Sequence, residues 1–319
     1  HRLDEVMAAA DSITILRDGK LAATREKEQT SVVELAELMI GRKGESMVQA
    51  APRTPPQDRV AMSIRDLHVD MPGEEVRGVS LEVYEGEILG IGGLAGQGKL
   101  GIPNGVMSLY DTRGSVTLFG EELKLGNAGD ALRAGIAMVS EDRKGVGLLL
   151  DQSIEDNIVF NAMQIKGEYL HRLGLFTLKN SSAVRKTAER MIHDLDIRCF
   201  GPMQHTGTLS GGNQQKVCIA RALVMGPRFL FVSEPTRGID IGAKKLVLET
   251  LVRLNREQGM TIVIVSSELQ ELKSISDRIA IISEGRLVDI LSPDASDADF
   301  GLAMSGIKPD DQLEKGDGA

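Results

Sequence analysis

The fold is decided by Leu209-Ser210-Gly211-Gly212-Asn213-Gln214-Gln215-Lys216, a stretch that leads into an apolar helical run from Val217 to Val224. A Ser-Gly-Gly start leaves backbone N–H groups free at a helix N-terminus, where the helix dipole favours negative charge. The apolar strand Phe229 to Val232 follows and ends in Ser233-Glu234. Such a strand is typical of a buried parallel sheet that delivers polar side chains to its carboxyl edge. The stretch therefore predicts an α/β fold that binds phosphate.

A second glycine-rich stretch, Gly93-Leu94-Ala95-Gly96-Gln97-Gly98-Lys99-Leu100, follows the apolar strand Ile88 to Ile91. It fits the pattern G-x-x-x-x-G-K, in which backbone N–H groups close around phosphate and the lysine reaches it. The pattern continues with serine or threonine, whose hydroxyl binds Mg²⁺, but here Leu100 stands in that place. The stretch predicts a phosphate-binding loop whose metal ligand is missing.

Composition excludes several classes of function. The net charge of −9 disfavours nucleic acid as a partner. No apolar run is long enough to span a membrane. The two cysteines, Cys199 and Cys218, lack metal-ligand spacing and are expected to be free thiols in a reducing compartment.

The beginning of the chain repeats a segment near its end. Asp11 matches Asp277 and Gly19 matches Gly285, and both pairs differ by the same step (277 − 11 and 285 − 19 both give 266). Each copy reads as a short helix, an apolar strand, a hairpin turn and a second strand. A repeat of this kind predicts two tandem copies of one domain.

This repeat predicts the domain organisation. Residues 1–50 are expected to be the C-terminal remnant of a first domain, 51–58 a proline-rich linker, 59–306 a complete second domain and 307–319 a disordered tail. The first residue is His1 and not methionine, which suggests a fragment. In the remnant, Ile13, Ile15 and Leu35 are expected to expose apolar faces. Within the second domain, Ser153 to Phe200 reads as helical.

In this order and spacing, Gly93–Leu100, Leu209–Lys216 and Phe229–Asp240 resemble the nucleotide-binding domain of ATP-binding cassette (ABC) transporters. The signature Leu209–Lys216, followed by Glu234–Asp240, is similar to the tandem-cassette ATP-binding subunits of bacterial sugar and nucleoside importers. The resemblance implies an α/β P-loop NTPase fold with a β-subdomain and a helical subdomain that carries the signature.

In that family two cassettes pack head to tail, and each ATP lies between one phosphate loop and the other cassette's signature. The resemblance implies that this cassette's own ATP contacts Gly93, Gly96, Gln97, Gly98, Lys99, Leu100 and Glu141. It implies that the ATP of the first cassette contacts Ser210, Gly211, Gly212 and Gln214, with Asp240 in the loop that crosses the interface. Glu234 takes the position of the general base. His1 takes that of the switch histidine in the first cassette's site.

Three positions depart from the family pattern. Leu100 supplies no hydroxyl to Mg²⁺, Ser233 replaces an aspartate that holds the same ion, and Ser267 stands where the repeat places His1. No confident metal ligand remains. We therefore expect this cassette to bind ATP with an impaired Mg²⁺ site and weak hydrolysis, while the first cassette's site stays competent.

The resemblance implies an ATPase subunit that energises the import of simple sugars of the ribose, galactose or xylose type. Its implied partners are ATP with Mg²⁺, the first cassette, transmembrane permease subunits and a periplasmic or lipoprotein substrate-binding protein, with no nucleic acid. Its implied location is peripheral, on the cytoplasmic face of the bacterial plasma membrane. A nucleoside importer of the same family and an ATP-sensing cassette without transport are the alternatives. A P-loop kinase is disfavoured because the signature has no role there.

Overall fold

The computed structural model describes residues 3–17, 20–30, 34–35, 38, 59–173 and 176–308. His1, the predicted linker 51–58 and the end of the tail lie outside the described residues. The strands are β1 (Ser12–Arg17), β2 (Lys20–Glu26), β3 (Val60–Val69), β4 (Val76–Tyr84), β5 (Ile88–Gly92), β6 (Thr112–Leu118), β7 (Glu121–Glu122), β8 (Ile136–Val139), β9 (Leu170–Leu173), β10 (Phe176–Lys179), β11 (Phe229–Ser233), β12 (Thr261–Val265), β13 (Arg278–Ser283) and β14 (Arg286–Leu291).

The α-helices are α1 (Leu3–Ala9), α2 (Gly101–Val106), α3 (Ala128–Arg133), α4 (Ile154–Asn161), α5 (Ser181–Asp194), α6 (Gly211–Leu223), α7 (Ile241–Gln258), α8 (Leu269–Ile275) and α9 (Asp297–Met304). Short 3₁₀ turns lie at Lys27–Gln29 and Thr206–Thr208, and π-helical turns at Arg143–Gly147 and Ala162–Lys166. In the described part of the chain, no helix combines the length and apolar composition that crossing a membrane requires.

The central sheet has six strands in the order β14-β13-β5-β12-β11-β8. All neighbours are parallel except β13 and β14, which form an antiparallel hairpin at the edge. Every residue of β5, β11 and β12 is buried, as expected for parallel strands covered on both faces. This burial explains why their sequences are almost continuously apolar. It also confirms the predicted α/β fold.

A second, antiparallel sheet has the order β4-β3-β6-β7. Its inward side chains, such as Ile64 and Val79, pack with Leu89 and Phe231 of the central sheet in one core. On the opposite face of the central sheet, α4 to α9 contribute side chains to a second core. The antiparallel sheet is the expected β-subdomain.

The region predicted as helical from Ser153 to Phe200 contains a hairpin, so that prediction is wrong in its middle. The first helical part ends at Gly167, whose left-handed φ of 68° stops the helix. Strands β9 and β10 then pair antiparallel before α5 begins. Phe176 and Leu178 on this hairpin are exposed, so the segment carries no inward apolar stripe of helical period.

The predicted repeat appears in the positions of the elements. Helix α1 and strand β1 begin and end 266 residues before α8 and β13 (269 − 3 and 278 − 12). Both hairpins also change register at the same relative place, between Ile15 and Leu16 in one copy and between Ile281 and Ile282 in the other.

The apolar residues of the first copy are not exposed. Ile13, Ile15 and Leu35 have exposed fractions of 8%, 4% and 0%, so the expectation of open apolar faces is wrong. They pack against one another in a small cluster of their own, joined by Met7, Ala10, Ala23 and Leu38. Mutual packing removes their apolar surface from water without a neighbouring domain.

Candidate functional site

The glycine-rich loop between β5 and α2 holds an anion with its backbone. The N–H groups of Gly96 and Gly98 each donate a hydrogen bond of 2.9 Å to the carboxylate of Glu74, and the N–H of Leu100 donates one of 3.0 Å. The Glu74 residue is 8% exposed. Converging N–H groups of this kind form a nest that binds phosphate as well as carboxylate. The loop therefore has the anion-binding geometry that its sequence predicts.

Glycine is required in this loop for two reasons. Gly98 has a φ of +96°, which side chains other than glycine rarely adopt, and a Cβ there would lie 2.8 Å from the Cα of Gly285. At Gly93 a Cβ would overlap with the backbone carbonyl of Ile282. The loop thus lies directly against the turn and the end of the β13–β14 hairpin.

Two further side chains of the loop are held by hydrogen bonds to backbone groups of the protein. Lys99 is 1% exposed, and its Nζ donates a hydrogen bond of 3.1 Å to the carbonyl of Leu94 within the loop. The Gln97 Oε1 accepts a hydrogen bond of 2.7 Å from the N–H of Glu284. The lysine is therefore held by the loop itself, and its contact with a phosphate stays a prediction. The Gln97 side chain instead binds the β13–β14 turn, so it does not point to a phosphate.

The two positions that carry metal ligands in the family pattern hold no carboxylate here. Leu100 is partly buried and packs into the core between the two sheets. Ser233 at the end of β11 is completely buried, and its Oγ has no hydrogen-bond partner among the described residues. The described residues also contain no cluster of histidine, cysteine, aspartate or glutamate that could hold a metal ion.

Glu234 and Ser267 meet at the carboxyl edge of the central sheet. Glu234 has a left-handed φ of 45°, and its N–H donates a hydrogen bond of 2.7 Å to the carbonyl of Val265. Its Oε1 accepts a hydrogen bond of 2.6 Å from the Ser267 hydroxyl. A non-glycine residue in this conformation is unusual and costs about 1–3 kcal/mol, which is typical of functional sites. The carboxylate is therefore held in one place beside the exposed serine.

The signature begins helix α6. Ser210 is the exposed N-cap, and its Oγ accepts a hydrogen bond of 3.0 Å from the side-chain amide of Asn213. Gly212 lies so close to helix α7 that a Cβ there would be 2.5 Å from the Cβ of Ala243. Gly211 packs against Ile239 of the following loop. Among the described residues no side chain caps this helix start, so its N–H groups and its dipole can receive an anion.

Gln214 does not lie at this exposed start. Its side chain points inward, the residue is 4% exposed, and its amide donates a hydrogen bond of 3.3 Å to the carbonyl of Thr206. The predicted contact of Gln214 with ATP disagrees with this placement. On a helix the residue four positions after Ser210 lies one turn further along, here on the buried face.

Asp240 and Glu141 occupy the remaining predicted positions. Asp240 is exposed and caps α7, because its Oδ1 accepts a hydrogen bond of 2.9 Å from the N–H of Ala243. The Glu141 carboxylate accepts a hydrogen bond of 3.2 Å from the Ser140 hydroxyl, just after β8. Both acids follow strands of the central sheet, as the sequence predicts.

The phosphate loop and the signature have separate surroundings. The loop contacts Glu74, Glu75 and the β13–β14 turn, whereas the start of α6 contacts Ile239 and Ala243. Within the described residues, the structure does not bring the two glycine-rich stretches together in one site.

Two acids of this region escaped sequence reasoning. Glu74 follows Pro72-Gly73, and nothing in such a turn predicts that its carboxylate reaches the phosphate loop. Glu271 on α8 is 2% exposed and accepts hydrogen bonds from Ser266 (3.0 Å) and Lys244 (3.3 Å). Burial raises the pKa of Glu271 above its ordinary value. The only sequence signal was an acid at an inward position of an amphipathic helix.

The matching sequence profile and two similar curated proteins agree on one family. The sequence profile described as ABC transporter matches residues 76–237. The chain is 38% identical to the ribose import ATP-binding protein RbsA 2 of Rhizobium meliloti (strain 1021) over 312 residues, which cover 97% of this chain and 59% of that protein. It is 39% identical to the xylose import ATP-binding protein XylG of Moorella thermoacetica over 293 residues, which cover 90% of this chain and 56% of that protein. The chain thus spans less than two thirds of the length of these relatives.

Solved structures show the same fold. The dimeric post-hydrolysis structure of the ATP-binding cassette MJ0796 with ADP and Pi matches with a TM-score of 0.61 and 21% identity, covering 74% of this chain and all of that chain. The ADP conformation of the cassette MJ1267 matches with a TM-score of 0.61 and 17% identity, covering 82% of this chain and 99% of that chain.

Proposed function

This chain belongs to the ABC transporter family, and we propose that it is an ATP-binding subunit that energises the import of a simple sugar. One observation carries ATP binding: the N–H groups of Gly96, Gly98 and Leu100 already hold a carboxylate. Phosphate oxygens carry the same charge and accept the same hydrogen bonds. The sugar class rests on relatives that are named for ribose and xylose import.

We propose further that the chain comes from a protein with two cassettes. Residues 1–50 are the end of the first cassette and 59–306 are the second. The constant step of 266 residues between the two helix–hairpin units supports this division. The coding sequence upstream of the codon for His1 tests it, since a first phosphate loop and signature are expected there.

The two ATP sites of such a protein are unequal in our proposal. Of the side chains of Leu100 and Ser233, only that of Ser233 carries an oxygen, a neutral and buried hydroxyl. Mg²⁺ prefers several oxygen ligands, so these side chains do not fit the ion. Glu234 is the general base of this weakened site. The signature from Ser210 to Gly212 serves the competent site, in which His1 of the first cassette's remnant takes part.

The chain works with partners that supply the membrane path and the substrate specificity. These are transmembrane permease subunits and a periplasmic or lipoprotein substrate-binding protein, with the ATP-binding subunit on the cytoplasmic face of the membrane. Relatives that are named as import ATP-binding proteins support this assembly.

Uptake in a deletion strain tests the proposed function. Loss of the gene is expected to abolish energised uptake of one of the labelled sugars ribose, xylose or galactose, and to leave uridine uptake intact. The same gene with Ser210→Asp should fail to restore uptake, because the new negative charge repels phosphate at the signature. Loss of uridine uptake with all sugar uptake intact would assign the protein to nucleosides.

A further inference from the structure

We propose that Glu74 sets the nucleotide affinity of this cassette by occupying the place of a nucleotide phosphate in the glycine-rich loop. This inference rests on the proposed ATP binding at the same loop. The Glu74 carboxylate is then an internal competitor, which must leave the loop before a nucleotide phosphate can bind there.

Both oxygens of the Glu74 carboxylate are used by the loop. Oε1 accepts from the N–H of Gly96, and Oε2 accepts from the N–H groups of Gly98 and Leu100. These are the groups that the loop would offer to phosphate. A carboxylate and a phosphate cannot share them, so binding of one excludes the other.

The carboxylate has no other partner in the described part of the chain. No described lysine, arginine or histidine forms an ion pair with Glu74, although the residue is only 8% exposed. A buried charge is costly unless hydrogen bonds compensate it. The hydrogen bonds from the three N–H groups therefore stabilise the buried carboxylate. A nucleotide phosphate must displace the carboxylate from all three.

The turn that carries Glu74 is fixed against the loop. The N–H of Glu74 donates a hydrogen bond of 3.0 Å to the carbonyl of Met71. The backbone carbonyl of Glu74 lies where a Cβ of residue 101 would be, so only glycine fits at position 101. Nucleotide can enter if the Glu74 side chain alone turns away, and the backbone of the turn stays in place.

The next residue provides a matched control. Glu75 carries the same charge one position further along, but its side chain is exposed and pairs with Arg77 at 2.8 Å. A substitution of either glutamate removes one negative charge near the loop. Only the substitution of Glu74 weakens the hold of the competitor on the loop.

In competition of this kind, the apparent association constant equals the intrinsic one multiplied by the fraction of time that the loop is free. A carboxylate that occupies the loop about nine tenths of the time weakens nucleotide binding about tenfold, so the loss of its hold should tighten binding by about that factor. Glutamine is the suitable replacement, since it retains the shape but loses the charge and one of the two acceptor oxygens, because its amide NH₂ cannot accept a hydrogen bond from the loop.

The test is the binding of a fluorescent ADP analogue to the purified chain, titrated for the wild type, Glu74→Gln and Glu75→Gln. We expect about tenfold tighter binding for E74Q and a wild-type affinity for E75Q. Equal affinities of E74Q and the wild type overturn the competition and leave nucleotide binding intact. Absence of binding in all three proteins overturns both the competition and the proposed ATP binding.

A second measurement does not depend on added nucleotide. In the ligand-free chain, amide hydrogen exchange at Gly96, Gly98 and Leu100 should be slow in the wild type and in E75Q, and faster in E74Q. If E74Q fails to fold, Glu74→Asp serves in its place, because the shorter side chain keeps the charge but withdraws it from the nest. Unchanged exchange in a folded variant contradicts the proposal.

Discussion

The hydroxyl of Ser267 donates a hydrogen bond of 2.6 Å to the carboxylate of Glu234. The repeat places a histidine, His1, at the position equivalent to Ser267 in the other copy. A serine hydroxyl reaches the neighbouring carboxylate, but it is shorter than an imidazole and carries no positive charge at any pH. In the proposed second cassette, Ser267 therefore supports Glu234 and supplies no positive charge to a phosphate.

The buried hydroxyl of Ser233 should be dispensable for folding. It has no hydrogen-bond partner among the described residues, so Ser233→Ala removes an uncompensated polar group and should raise the free energy of unfolding by about 1 kcal/mol. Ser266→Ala is the control, because the Ser266 Oγ donates to Glu271, and it should lower stability by about 1–3 kcal/mol. Urea unfolding measures both. Destabilisation by S233A would show that the hydroxyl has a partner.

The contact between the signature helix and α7 should require glycine at position 212. Gly212→Ala brings a Cβ to within 2.5 Å of the Cβ of Ala243, and such overpacking should cost about 1–3 kcal/mol. Gly301→Ala in α9 is the matched control, since nothing lies within 4 Å of its Cβ position and helix propensity favours alanine by about 1 kcal/mol. Thermal unfolding should move in opposite directions for the two variants. A stabilised G212A contradicts the close contact.

The two cysteines should differ in reactivity. Burial raises the pKa of the Cys218 thiol to about 12, so almost no thiolate is present at pH 8. Cys199 is only half-buried. A disulfide reagent at pH 8 should therefore label one thiol per native chain quickly and the second only in denaturant. Rapid labelling of the Cys199→Ser variant would contradict the buried position of Cys218.

The parts of the fold that repeat a local pattern can be predicted from the sequence. The buried strands β5, β11 and β12 and both glycine-rich stretches follow from runs of apolar residues and from glycine spacing. The hairpin β9–β10 did not, because its exposed Phe176 and Leu178 give no burial pattern. The burial of Ile13 and Leu35 cannot be predicted in this way, because residues far apart in sequence can cover one another.

The anion-binding loop can be predicted from the sequence, but the carboxylate that fills it cannot. The spacing from Gly93 to Lys99 predicts a nest for an anion. It contains no information that Glu74, more than twenty residues earlier, fills that nest, because the contact depends on how the β3–β4 turn folds over the loop. The inward rotation of Gln214 likewise depends on which face of α6 the rest of the protein covers.

The unequal sites of the proposed two-cassette protein are tested most directly by its steady-state ATP turnover with two single substitutions in this chain. Glu234→Gln should reduce turnover by no more than about half, since it removes the base of a site that contributes little. Ser210→Asp should retain the fold, because aspartate is an equally good helix N-cap, yet lower turnover about a hundredfold by repelling phosphate in the competent site. A collapse of turnover in E234Q as deep as that in S210D would contradict the account.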